Sequence, residues 1–140
     1  MNKLSAALLL LALLPRGADA QGTMGPPNPI QCNQQAIANI ATATTTALVS
    51  GVAGKSIYIC GWHVTSTQSA ANTFSFVSGI QGGPCGSPAS LTPTFAVTST
   101  APSSDHVDYS HLQVPVGAQL CVVTTGATVG TAVLVWFNQF

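Results

Sequence analysis

Five side chains able to move protons, attack a carbon or hold a metal fall close together: Asp105, His106, Asp108, Ser110 and His111. A hydroxyl, an imidazole and a carboxylate are the raw materials of nucleophilic catalysis: the hydroxyl attacks, the imidazole takes its proton and the carboxylate orients the imidazole. Packed into one short stretch, these groups cannot form that relay without a tight reversal, and no G-x-S-x-G elbow presents the serine. Asp105 and Asp108 are equally unsuited to glycoside hydrolysis. Two carboxylates three residues apart cannot face each other across a scissile bond. With so few titratable groups for general acid–base work, the expectation is a protein that is not an enzyme and carries no cofactor.

Metal ligation is the other chemistry of this stretch. His106 and Asp108 are two apart, so on a strand they share a face, and His111 takes the other. A useful site needs a third ligand. His63 from another strand is one candidate, and copies of His106 around a threefold axis are another. A two-ligand pair is a weak metal signal, and three surface histidines with a loop capped by Asp105 is the simpler reading.

Aromatic residues offer a third chemistry. Tyr58 and Trp62 are four apart on one strand and share a face, with Cys60 between them. Exposed, they and Tyr109 are candidate ligand-binding rings, a platform for sugars; buried, Tyr58 and Trp62 pack around a disulfide. Core packing is the simpler account, as a partly buried polar residue is for His63. Trp136 and Phe137 occupy opposite faces of the last strand.

These groups sit in a chain almost without charge. Beyond residue 20 the charged side chains are Lys55, Asp105 and Asp108. Nucleic acids and anionic membranes are bound by clusters of Lys and Arg, and one lysine is not a cluster. Nucleic acid is therefore excluded as a partner. A 46% hydrophobic, nearly uncharged sequence also lacks the signature of disorder.

Met1–Ala20 reads as a signal peptide: Lys3 in the n-region, an apolar Ala6–Leu14 run, and Ala18-Asp19-Ala20 as a small-x-small cleavage site. The apolar run is too short to span a bilayer, so the expected location is secreted: periplasmic, extracellular or cell-surface. In such a compartment Cys32, Cys60, Cys85 and Cys121 imply two disulfides. The absence of any C-x-x-C pair argues against zinc. Of three connectivities, Cys32–Cys60 with Cys85–Cys121 is favoured, each bond pinning a loose segment onto a strand.

The elements that must position these residues are strands. Residues 21–35 form an extended Pro/Gly-rich arm, and residues 36–140 a single domain. A short helical turn is allowed near Gln34. Strands are expected over Thr44–Val49, Ser56–Thr65, Asn72–Ser78, Leu91–Thr98 (broken at Pro93), Val107–Val114, Gln119–Thr125 and Thr131–Phe137. Gly79–Pro88 and Ser99–Ser104 read as loops. Seven or eight short strands with regular turns predict an all-β antiparallel sandwich or small barrel. Phe140 matches the terminal aromatic of outer-membrane barrels, but the strands are too short and the aromatics too few for one.

Three motifs carry a resemblance over most of Thr44–Phe137: Gly54-Lys55-Ser56-Ile57 opening a strand, Pro115-Val116-Gly117-Ala118-Gln119-Leu120 turning into another, and Val129-Gly130 before the last. In these the chain resembles small jelly-roll-like β-sandwich domains of exported bacterial proteins and of phage decoration and structural proteins. The resemblance implies a jelly-roll-like sandwich that forms a homo-oligomer, a trimer or larger assembly, or coats a larger extracellular structure. The leader fits the exported branch. The resulting expectation is a self-associating structural or surface-decorating module, with a carbohydrate- or small-ligand-binding module as the alternative.

Overall fold

A computed structural model describes residues 32–106, 112–126 and 130–140. The leader and the arm up to residue 31 lie outside the described residues. Ten strands follow in order: β1 (Gln34–Ile40), β2 (Thr45–Val49), β3 (Ile57–Ser66), β4 (Asn72–Ile80), β5 (Gly86–Ser90), β6 (Phe95–Val97), β7 (Ser103–His106), β8 (Leu112–Val114), β9 (Gln119–Thr125) and β10 (Thr131–Gln139). Where a helical turn was allowed near Gln34, β1 begins instead, and no helix occurs among the described residues.

One sheet, A, runs β1-β10-β3-β7, with β8 also pairing β3; the other, B, runs β2-β9-β4-β5, with β6 also pairing β4. All pairings are antiparallel. Strands β7 and β8 share one position beside β3, and β5 and β6 share one beside β4. Ten strands thus occupy eight positions, with the chain alternating between sheets in the order of a jelly roll.

The division of β5 from β6 has a chemical cause. Pro93 cannot donate to a ladder, and around it side-chain bonding takes over. Leu91 and Thr92 donate their amides to the Phe76 carbonyl at 2.9 and 3.3 Å, and the Phe76 amide donates to the Thr92 hydroxyl at 2.9 Å. The expected Leu91–Thr98 strand is therefore reduced to β6. Conversely, β5 begins inside the expected Gly79–Pro88 loop and runs on to Ser90. The Cys85–Cys121 bond tethers this segment to β9, and Gly79 lets it approach, since a Cβ there would lie 2.9 Å from the Cys85 Cα. Likewise β7 begins within the expected Ser99–Ser104 loop, where residues from Ser103 pair with β3.

Two of the turn motifs meet. Lys55 N bonds Val52 O and Ala118 N bonds Pro115 O, both at 3.0 Å. Gly54 and Gly117 stand third in these turns with φ of 78° and 76°, the position at which a type II turn calls for glycine. Gly117 N donates to Lys55 O at 2.9 Å, joining them.

The core lies between the sheets. Ile57, Ile59, Val64, Val133, Val135 and Phe137 of sheet A face Phe74, Phe76, Leu120 and Val122 of sheet B. Each such side chain contributes about 1.5–3 kcal/mol by leaving water. Trp62 crosses the gap, its ring centroid 5.4 Å from Phe76 and 5.9 Å from Phe95. Both expected disulfides are present, Cys32–Cys60 and Cys85–Cys121, with Cα separations of 6.0 and 6.3 Å.

Candidate functional site

A bulge decides which aromatics reach the surface. Strand β3 pairs with β10 so that Trp136 opposes Gly61 while Phe137 opposes Ile59. Cys60 is the extra residue, and the alternation changes phase across it. Ile57 and Ile59 point inward before the bulge, Trp62 and Val64 after it. Tyr58 and Trp62 therefore do not share a face. Tyr58 is half-buried on the outer side, whereas Trp62 is 4% exposed in the core. The alternative of a platform shared by these two rings is not formed, and for Trp62 the simpler account, core packing, holds. The signal was Gly61: an isolated glycine inside a strand pattern marks bulges.

Other residues take Trp62's place beside Tyr58. The chain runs on past β10, and Phe140 pairs with Ser56 through both backbone bonds, Ser56 N to Phe140 O at 3.0 Å and Phe140 N to Ser56 O at 3.2 Å. This seats the Phe140 ring against Tyr58, with centroids 4.8 Å apart and planes 19° from parallel. Phe140 remains 58% exposed. From β8, opposite Tyr58, Gln113 Nε2 donates to Tyr58 Oη at 3.2 Å and to Ser56 Oγ at 3.1 Å.

The ladder fixes what lies next to this group on the outer face of sheet A. Asn138 opposes Tyr58; Trp136, half-buried, opposes Gly61 and, on β1, Gln35; Leu134 opposes His63 and Ile37. Ile37 is 69% exposed. The outer face of sheet B is different. It shows Thr45 and Ala47 of β2, Val123 and Thr125 of β9, and Thr73 and Ser75 of β4. The Thr73 and Thr125 hydroxyls are hydrogen-bonded. Here the second disulfide is buried with Val77, against Val123.

Of the candidate metal ligands, His63 and His106 stand on the paired strands β3 and β7, and Asp108 lies outside the described residues. His63 pairs with Ser104, and His106 with Gly61 two residues further along the ladder. Asp105 opposes Trp62. Asp108, Tyr109, Ser110 and His111 lie outside the described residues. Among the described residues no three His, Cys, Asp or Glu are grouped to hold a metal ion. No helix of the described residues is long and apolar enough to cross a membrane.

One cleft opens at an end of the sandwich, about 260 Å³, lined by Asn39, Ile40, Ala41, Thr67, Gly130, Thr131 and Ala132. Apart from Asn39 and the hydroxyls of Thr67 and Thr131, its lining side chains are apolar, and it holds no acid, base or nucleophile stronger than a hydroxyl.

No protein-family model matches the chain, and no curated protein matches it. A solved structure of infectious bursal disease virus, Gx strain, overlaps 75% of this chain and 33% of that one, at 14% identity and a TM-score of 0.36. The chain thus spans about a third of the viral chain's length.

Proposed function

We propose that this is an exported, non-catalytic structural module that self-associates through the edge of sheet A formed by β1. The observation that carries this reading is an asymmetry among the edges. An open strand edge is a template for pairing with another chain, and proteins blunt it with short strands, bulges, proline or charge. Here β5, β6, β7 and β8 are each five residues or fewer, and β5 contains Pro88. The β2 ladder is interrupted between Ala47 and Val49. Strand β1 has none of these devices. It pairs with β10 over seven consecutive residues without a register shift, its sequence QQAIANI has no charge or proline, and among the described residues nothing pairs with its other side.

A chain with so few charges adds support, because identical copies approach with little like-charge repulsion. The jelly-roll topology is compatible with the assembly-forming domains that the sequence resembles.

Light scattering of the secreted, oxidised protein tests the proposal. A dimer or larger species is expected, since an edge that pairs with its own copy closes on a two-fold axis, and Ile37→Lys, which places a charge beside the open edge, should reduce it to monomer with the melting temperature unchanged. A wild-type monomer at about 100 μM, a concentration at which even weak specific contacts of micromolar Kd are populated, overturns it.

A further inference from the structure

The Tyr58–Phe140–Gln113 group lies two strands away from the β1 edge and is not explained by edge pairing. We propose that it is a subsite for a neutral pyranose, and that Trp136 receives a second ring of the same saccharide chain.

The apolar half of the subsite is the ring pair. Tyr58 and Phe140 cover one face of each other at 4.8 Å, which leaves the far face of the 58% exposed Phe140 ring open. The face of an aromatic ring is its negative pole, and the C–H-lined face of a pyranose is the complementary surface. Phe140 is held for this by its two backbone bonds to Ser56, so it is an ordered part of the ladder. Order matters, since a ring already immobilised loses less entropy when a ligand stacks on it.

The polar half is oriented by Gln113. Both amide hydrogens of its side chain are used, one toward Ser56 Oγ and one toward Tyr58 Oη. Two consequences follow from the donor–acceptor inventory. Gln113 Oε1 is left to accept, and Tyr58, which accepts from Gln113, retains its own O–H to donate. An acceptor and a donor side by side on an apolar ridge match neighbouring sugar hydroxyls, each of which gives and takes a hydrogen bond. A few placed polar groups on an aromatic wall is the usual make-up of a small-molecule site.

The register supplies the extension. Tyr58 opposes Asn138, and Trp136 stands two residues before Asn138 on the same face of β10. Phe140 continues this ladder opposite Ser56, four residues beyond Trp136, which at the rise of a strand is about 13 Å and suits two non-adjacent rings of one linear polysaccharide. None of the side chains of Tyr58, Gln113, Trp136 and Phe140 supplies a cation, so a neutral glycan is favoured over a uronate or a phosphorylated sugar. Lys55, next to Ser56, is the nearest cation in sequence.

The test is calorimetric titration of the oxidised protein with cellohexaose, chitohexaose and mannohexaose, with co-sedimentation on insoluble cellulose and chitin. Binding to one of these is expected, unchanged between 50 mM and 500 mM salt because no ion pair forms. Phe140→Ala should weaken it about tenfold, the equivalent of one lost ring contact. Tyr58→Phe keeps the ring stack, removes only the hydroxyl, and should weaken it about threefold. Circular dichroism melting, unchanged in both variants, separates ligand contact from folding. Absence of binding to every probe at millimolar concentration overturns the proposal, and so does equal binding by wild type, Phe140→Ala and Tyr58→Phe. A change in molar mass on Phe140→Ala without any sugar binding also overturns it, and assigns the ridge to a second copy.

Discussion

The two outer faces of the sandwich are built on the same strand arrangement and are almost equally free of charge, yet they differ in what they display. Sheet B shows threonine, serine and alanine with half-buried Val123 and, at the end of β4, the exposed Ile80, while Val77 and the Cys85–Cys121 bond are buried as a satellite of the core. Sheet A shows Tyr58, Trp136, Leu134, Ile37 and Phe140, all exposed or half-buried. Small hydroxylated side chains satisfy themselves, as the Thr73–Thr125 bond illustrates. Rings and branched side chains left in water gain nothing by it, and a concentration of them marks a surface with something to cover it. What distinguishes the two faces is the concentration of the rings Tyr58, Trp136 and Phe140 on sheet A, the face proposed for contact.

The comparison depends first on the bulge at Cys60. If Trp62 were an outer-face residue, replacing it would cost little. The inward placement predicts that Trp62→Ala lowers stability by about 3–5 kcal/mol, the range for emptying a core aromatic site, measured by urea unfolding. A loss below about 1 kcal/mol would return Trp62 to the surface. The disulfides come next. Both close loops of similar length, with separations of 28 and 36 residues, and the chain-entropy account gives each about 3–4 kcal/mol. Cys121 is fully buried whereas Cys60 is half-buried. Cys121→Ser should therefore be the more damaging, adding an unmatched buried hydroxyl to the lost link, and secreted yield and melting temperature should fall further than for Cys60→Ser. Equal effects would mean that the two faces do not differ in how deeply they bury their bonds.

At the surface the expected effects on stability shrink while those on association grow. Ile37→Lys and Phe140→Ala should each change stability by no more than about 1 kcal/mol, yet the first should abolish oligomers and the second weaken saccharide binding about tenfold. On sheet B, the double replacement Thr73→Val with Thr125→Val removes both partners of one hydrogen bond together. It should be close to neutral, within about 0.5 kcal/mol, and should alter neither molar mass nor glycan binding. A change in either property would show that the threonine face is also a working surface.

Much of this architecture was legible along the chain. The spans of β2, β3, β4, β9 and β10 follow from β-branched and aromatic alternation, and β9 begins and ends where that alternation does, at Gln119 and Thr125. The disulfide pairing followed from which cysteines lay in strands. The edge strands were harder. Residues 86–90 have a loop's composition and become β5 because a disulfide and a close glycine contact hold them against β4. Residues from Ser103 become β7 because β3 offers a ladder to join. In both cases the partner, not the segment, supplies the stabilisation.

The site was legible in kind and displaced in detail. Tyr58 was identified, but the residue expected beside it was Trp62, and the residues found there are Phe140 and Gln113. The sequence by itself determined the class of protein: an uncharged, cysteine-paired chain of short alternating strands, because hydrophobic period, turn chemistry and charge count are local or additive properties. Only the tertiary structure decided which rings face water. One extra residue in β3 reverses the phase of every side chain beyond it, and whether a strand takes that residue as a bulge is settled by pairing with a neighbour about seventy residues away in sequence.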